Sequence, residues 1–306
     1  MAMVFLRRLA RAAITILLLM TFAFIVLRTS GSGASAMLGA EADPAAIAAF
    51  NTRWGLEKPL FEQYITFITA LLHGDFGQSF IGRRPALEAV LERVPATLSL
   101  MGSGLLVAVF LGLALGVFTA HRRGTAVDRV TTFVALAGYC VPSFIIAIFL
   151  ILALSVEFGW LPTTGNNTAL HYILPITTVA VGEFAVFVRF ARTSMLEIMN
   201  QPYMRAALAK GLSPSATVWR HALPNMAVPM VTLIGLAIGS LFVGATITEN
   251  VFAWPGMGQL LVQAVTMRDA AVVQTIMVLV GISMVTVNIT VDLLYAWLDP
   301  RIGPLE

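Results

Sequence analysis

The side chains able to do chemistry in this 306-residue chain are few, and their spacing excludes most kinds of reaction. Its two lysines are Lys58 in LEKPL and Lys210 in LAKGL. Neither follows a G-x-x-x-x-G-K-[ST] loop, so the chain lacks that means of cradling a nucleotide's phosphates. The histidines His73, His121, His171 and His221 are scattered over predicted loops and ends, and no H-E-x-x-H or other ligand pair arises. Cys140, the single cysteine, stands in the apolar run ALAGYCVPSF. It excludes an internal disulfide and a cysteine-based zinc cluster, and reads as a small buried apolar residue. LMGSGLL at 100–106 resembles a G-x-S-G nucleophile turn loosely, with Leu100 at the first-glycine position. No histidine falls in an apolar core to act as its base. A catalytic site, a metal site and a resident cofactor are therefore not expected.

What remains is charge recognition. Glu183, in VAVGEFAVFVRF, is an ionisable group in the middle of an apolar stretch. Such groups are costly in a membrane and usually face protein or water, so Glu183 is a candidate lining residue for a passage. Its alternative role is a structural pair with Arg189 or with a neighbouring subunit, although six residues of helix set the two acid and base positions awkwardly apart. The second feature is MRAALAKGLSPSATVWRHALPN, Met204 to Asn225. It gathers Arg205, Lys210, Arg220 and His221, with Gly-Leu-Ser-Pro in its middle.

The elements that must hold these residues follow from composition. The chain is 58% hydrophobic and 11% charged with mean hydropathy +0.87, whereas soluble domains carry about 25% charged residues. The bilayer is the expected solvent. A net charge of +3 without basic runs speaks against nucleic acid. A spanning helix needs roughly 20 mainly apolar residues. Six windows qualify, at about 9–27, 96–120, 130–155, 172–190, 226–248 and 271–298. Arg7, Arg8 and Arg11 before the first window, and Ala34-Ser35-Ala36 after it, raise the possibility of a cleaved leader. The length of that window and the distance to the small-residue site favour a retained helix. Arg122, Arg123, Arg129, Arg192, Arg205, Lys210, Arg220 and Arg301 then fall on the same side as the N-terminus, which predicts both ends to be cytoplasmic.

The expected fold is thus an all-α integral membrane protein of about six transmembrane helices. The parts are a first helix at 1–28, an external segment at 29–95, a five-helix core at 96–300 and a tail at 301–306. The core contains a cytoplasmic segment at 191–225. In the external segment, Pro44 to Phe50 and Leu60 to Leu72 read as short helices, and Arg83-Arg84-Pro85 opens another. TSGSGASA at 29–36 reads as a flexible exit from the first helix. Pro142 should kink the third span. Gly102, Gly104, Gly112 and Gly116 in the second span, with Gly235, Gly239 and Gly244 in the fifth, predict close helix packing, within the chain or across a dimer. Asn288 and Asp292 lie one helical turn apart in the last span and can satisfy each other.

The passage at 204–225 resolves into helix, corner, helix. Gln201-Pro202 suits a start, because proline at the first position forfeits no needed donor. Gly211 can take the left-handed conformation that ends a helix, and Ser213-Pro214 caps and opens the next. Ala206, Ala207, Ala209 and Gly211 would let another backbone approach closely. Met204, Leu208 and Leu212 are predicted to form one apolar face. Physics alone leaves a docking helix and a helix lying on lipid headgroups both open.

The same passage resembles the cytoplasmic "EAA" loop of ABC importer permeases, E-A-A-x3-G-x9-I-x-L-P. Ala206, Ala207, Gly211, Leu223 and Pro224 match in spacing, while Arg205 replaces the usual Glu and His221 the usual Ile. RAALAKGLSPSATVWRHALPN looks like the version found in dipeptide, oligopeptide and nickel permeases. RWGLEKPLFEQYITF, HGDFGQS, TENVFAWPGMGQLLVQAVTMRDAAVVQ and NITVDLLYAWLDPRI also resemble that subfamily. The stretch at 29–40 departs from it, lacking a PGDP-like sequence. The resemblance implies a bacterial inner-membrane subunit that lines half of a path for peptides or a related solute. It further implies a second permease, two cytoplasmic ATPase subunits holding ATP and magnesium, and an external solute-binding protein. Tyr203, Met204, Arg205, Ala206, Ala207, Leu208, Ala209, Lys210, Gly211 and Leu212 would then form the helix that contacts the ATPase. An ion-coupled carrier working alone is the competing reading, for which Glu183 is the one candidate acid and no internal repeat is evident.

Overall fold

The computed structural model describes residues 2–29, 34, 38–39, 42–79 and 82–298. Most of TSGSGASA, the tail at 301–306 with Arg301, and the side chains of Arg7, Arg8 and Asp292 lie outside the described residues. The chain is mostly helical. The long α1, Ala2–Thr29, is followed by the shorter α2 Pro44–Arg53, α3 Leu60–Leu72 and α4 Ala86–Leu91. Next are α5 Val94–His121, α6 Ala126–Cys140, α7 Ser143–Leu150 and α8 Leu170–Met199. Then come α9 Pro202–Ala209, α10 Pro214–Thr217, α11 Leu223–Val251, α12 Met257–Thr266 and α13 Ala270–Leu298. Wider π-helical turns continue α7 over Ile151–Glu157 and α10 over Val218–Ala222.

Among the described residues, four helices are long and apolar enough to cross a membrane, and a fifth span arises if the bent pair α6 and α7 counts as one. The apolar part of α1, Ala13–Thr29, is shorter. The span at 130–155 is more than kinked. Its two halves meet at 99°, because Cys140 ends α6 and Pro142, at φ −56° and ψ 139°, caps α7 in an extended conformation. Proline cannot donate to the preceding turn and disfavours helix in the residue before it, so Val141 is extended too. Cys140 is exposed at this break rather than buried. Phe110, Phe133 and Phe149 project from spanning helices with about 70% or more of their surface free, as expected where lipid is the solvent.

The chain forms two compact units, Met1–Ala96 with Pro255–Val285, and Thr97–Trp254 with Thr286–Glu306. In the first, α3 lies against α1 through Phe24, which meets Tyr64 edge-on at 5.3 Å and stacks on Phe67 at 6.0 Å. Thr21 and Tyr64 share a hydrogen bond of 2.7 Å. Gln63 braces the turn before α3 by donating to the Leu56 and Lys58 carbonyls. A buried Ser79 hydroxyl donates to Asp269 at 2.7 Å, tying the end of the early segment to the α12–α13 turn.

The second unit holds α5 and α8 together through glycine. A Cβ at Gly104 would come within 2.6 Å of Val179, at Gly112 within 2.5 Å of Phe187, and at Gly116 within 2.6 Å of Ala191. The glycine face of α5 therefore packs inside this chain, and only absence of side chains permits the approach. Gly102 faces open space. Elsewhere in the unit Trp254 is fully buried and meets Tyr172 edge-on at 4.5 Å, and a fully buried Glu249 accepts a 2.6 Å hydrogen bond from Thr97.

Candidate functional site

The passage at 202–217 has the local chemistry expected of a corner. Gln201, extended at ψ 147°, precedes Pro202 at the first helical turn. Eight residues later the helix stops. The Gly211 amide donates to the Leu208 carbonyl at 2.9 Å and that of Leu212 to Ala207 at 3.3 Å, closing the orphan carbonyls. Gly211 has φ +86°, a conformation that costs other L-residues about 1–2 kcal/mol. No neighbour lies within 4 Å of where its Cβ would stand, so glycine is required by the backbone and not by crowding. The Ser213 hydroxyl then accepts from the Ala216 amide at 3.2 Å, and Pro214 opens α10.

The buried face of α9 differs from the predicted one. Met204 and Ala207 are buried, whereas Leu208 is 47% exposed and Leu212 half-buried. An i, i+3 pair faces the protein, and Leu208, one position round, turns outward. Tyr203, Arg205, Ala206, Leu208, Ala209, Lys210 and Gly211 form the free side. Arg205 donates weakly to the Asn200 carbonyl at 3.4 Å, and among the described residues no carboxylate pairs with it. Trp219, on the π-helical turn after α10, is 71% exposed. It was not singled out from the sequence, although an aromatic residue just before Arg220 and His221 in a connecting segment is a signal for contact.

A second missed feature anchors the helix that leads into the corner. Arg192, near the end of α8, donates from Nε to Asp128 Oδ1 at 2.5 Å and from Nη2 to Oδ2 at 2.8 Å. Asp128 also accepts from the Gly124 amide at 2.9 Å. The carboxylate is buried, so this two-pronged pair fixes the start of α6 against α8. Sequence separation of 64 residues hides it from any local pattern.

Glu183 lies half-buried on α8. No ion pair joins it to Arg189. The Arg189 guanidinium lies instead over the Tyr139 ring, 5.5 Å from its centre. A Cβ at Gly182, the residue before Glu183, would meet no neighbour within 4 Å among the described residues.

Residues 112–304 match the family described as binding-protein-dependent transport system inner membrane component, and residues 1–101 match its N-terminal companion. The chain belongs to this family. The permease is 38% identical to the glutathione transport system permease protein GsiC of Pectobacterium atrosepticum over 97% of this chain and 98% of that one. It is 39% identical to that of Shigella flexneri over 89% of each. In fold it is similar to the MetNI methionine ABC transporter in inward-facing form, at TM-score 0.59 and 21% identity over 69% of this chain and 96% of that one. It is also similar to an amino acid ABC transporter, at TM-score 0.54 and 16% identity over 68% of this chain and 92% of that one. It is a permease subunit of an ABC importer, a multi-pass inner-membrane transport component. Membership implies a partner permease, ATPase subunits and a binding protein.

Proposed function

We propose that the permease carries small peptides delivered by an external binding protein, and that ATPase motion reaches it through Tyr203 to Leu212. Six spans, counting α1 and the bent pair α6–α7, would then place both termini and the α8–α11 connection in the cytoplasm, following the distribution of arginine. A second, different permease would supply the other half of the path, and two ATPase subunits would hold ATP and magnesium. The observation that carries the coupling role is the free side of α9. A short helix ending at a glycine corner shows Tyr203, Leu208 and an Arg205 that meets no carboxylate among the described residues, and its small exposed Ala206 and Ala209 suit a close-fitting protein groove better than lipid headgroups. The cargo class is supported by relatives named for glutathione, itself a modified tripeptide. Glu183 would face the path and meet a cationic part of the cargo.

A photo-crosslinking amino acid at position 203 or 208 in the assembled importer tests the coupling role. Crosslinks should run to the ATPase, while a probe at buried Ala207 gives none. Crosslinks to lipid alone from both exposed positions would remove it. Uptake of a labelled tripeptide into vesicles holding the full importer and its binding protein tests the cargo.

A further inference from the structure

Two arginines one turn apart on α8 have opposite surroundings. Arg192 spends its charge on Asp128. Arg189 is exposed, rests on Tyr139, and has no carboxylate partner among the described residues. Its depth follows from the register. α6 and α8 run antiparallel, since Asp128 pairs with Arg192, Ala135 packs with Ala185 and Val188, and Gly138 faces Val181. Tyr139 therefore lies about 16 Å along α6 from the Asp128 pair. Side chains on a helix lean toward its N-terminus. Arg189 on α8 thus leans away from the ion pair, into the span, and Tyr139 leans back to meet it. The two close a cleft of about 250 Å³ with Thr132, Leu136 and Val188 on its walls. The charged groups lining it are Arg189 and the already paired Arg192. Arg189 thus stands near the predicted cytoplasmic end of the α8 span and leans toward its middle, beside two hydroxyl-bearing side chains and with no compensating carboxylate among the described residues. A charge there requires water or an anion.

We propose that this cleft binds a carboxylate of the cargo during passage, with Arg189 as the charged contact and Tyr139 and Thr132 as hydroxyl donors. This rests on the peptide reading for the identity of the ligand. The positive character of the cleft does not. The cleft is small enough to seat one peptide terminus rather than a whole peptide, so contact would be transient and suited to release.

The test uses the assembled importer in lipid nanodiscs, with Leu136→Cys in a Cys140→Ala background as a reporter on the cleft wall. Labelling of this chain is read by mass. Methanethiosulfonate reagents bearing a sulfonate or a trimethylammonium group are compared at the reporter. The anionic reagent should react about fivefold faster than its rate on a free thiol predicts relative to the cationic one, from a single nearby unit charge. Arg189→Gln should abolish that preference and Arg189→Lys should retain it. N-acetyl-dialanine should slow the labelling, and its C-terminal amide should not. No charge preference, no labelling by either reagent, or equal protection by acid and amide would overturn the proposal. So would pairing of Arg189 with an acid of the second permease, seen as a loss of assembly in Arg189→Glu. In the uptake assay, Arg189→Gln should lower the maximal rate of tripeptide transport severalfold while binding-protein docking is unchanged. An unchanged rate overturns the proposal. If the wild-type importer carries no peptide, the cargo reading fails and the labelling arm alone decides the cleft.

Discussion

The seam between α5 and α8 and the corner between α9 and α10 both depend on glycine, for opposite reasons. At Gly104, Gly112 and Gly116 the backbone is ordinary helix and the space is missing; at Gly211 the space is open and the backbone is unusual. The seam lets two spanning helices touch, and everything it buries belongs to the same chain. The corner positions a surface that this chain leaves bare. A residue chosen for crowding serves the fold, while one chosen for an outward turn serves a partner. The two kinds should fail differently when altered.

A bulky side chain in the seam should give the largest effect, and a single methyl a smaller one. A side chain at Gly112 meets the Phe187 Cβ and, at 3.3 Å, the Val188 backbone nitrogen, neither of which can swing away. Gly112→Ala should cost about 1–3 kcal/mol of overpacking, and Gly112→Leu should prevent recovery of a monodisperse protein in detergent. Size-exclusion profiles and thermal unfolding report both, and a well-behaved Gly112→Leu protein would show that α5 and α8 are not in this contact. Next in size is the ion pair. Arg192→Gln strands the buried Asp128 charge and should cost about 3–5 kcal/mol. Adding Asp128→Asn should return much of the loss, since the neutral amide still accepts from the Gly124 amide. A double variant no better than the single one would assign the cost to lost packing.

The same contrast explains what was legible in the sequence. The corner was readable because Gln-Pro, Gly and Ser-Pro act through their own backbone, within a few residues. Leu60 to Leu72 was readable for the same reason, with Pro59 extended before it and one amphipathic face. Which side of α9 is buried was not readable. An i, i+4 stripe and an i, i+3 pair differ by a small rotation, and packing chose Met204 with Ala207. Pro142 announced a disturbance, but its size depends on Val141 becoming extended as well. The Asp128–Arg192 pair joins segments whose proximity only the fold creates. Glycine spacing on α5 foretold a close approach without naming the partner, because small-residue faces look alike whichever helix covers them.

The corner should lose function while keeping the fold. Gly211→Pro cannot reach φ +86° and removes the amide bonded to Leu208. It should leave insertion intact and abolish ATP-coupled uptake, with ATPase activity no longer stimulated by loaded binding protein. Gly211→Asn, which tolerates the left-handed region, should retain most uptake. Equal uptake by wild type and Gly211→Pro would remove the corner from the coupling route.

Glu183 sets the smallest expected effect and the finest test of the contrast, because it belongs to neither class. It is half-buried on the helix that shares the glycine seam, yet no ion pair to it exists among the described residues. If it serves packing, Glu183→Gln should stabilise the protein slightly, by removing an uncompensated charge, and leave transport alone. If it faces the path, the same change should lower uptake of a cationic tripeptide about fivefold more than that of a neutral one, the worth of roughly 1 kcal/mol of charge interaction. Unfolding temperature and the ratio of the two uptake rates, measured on one preparation, separate the alternatives. An unchanged ratio would return Glu183 to the fold and leave Arg189 as the charged group of the passage.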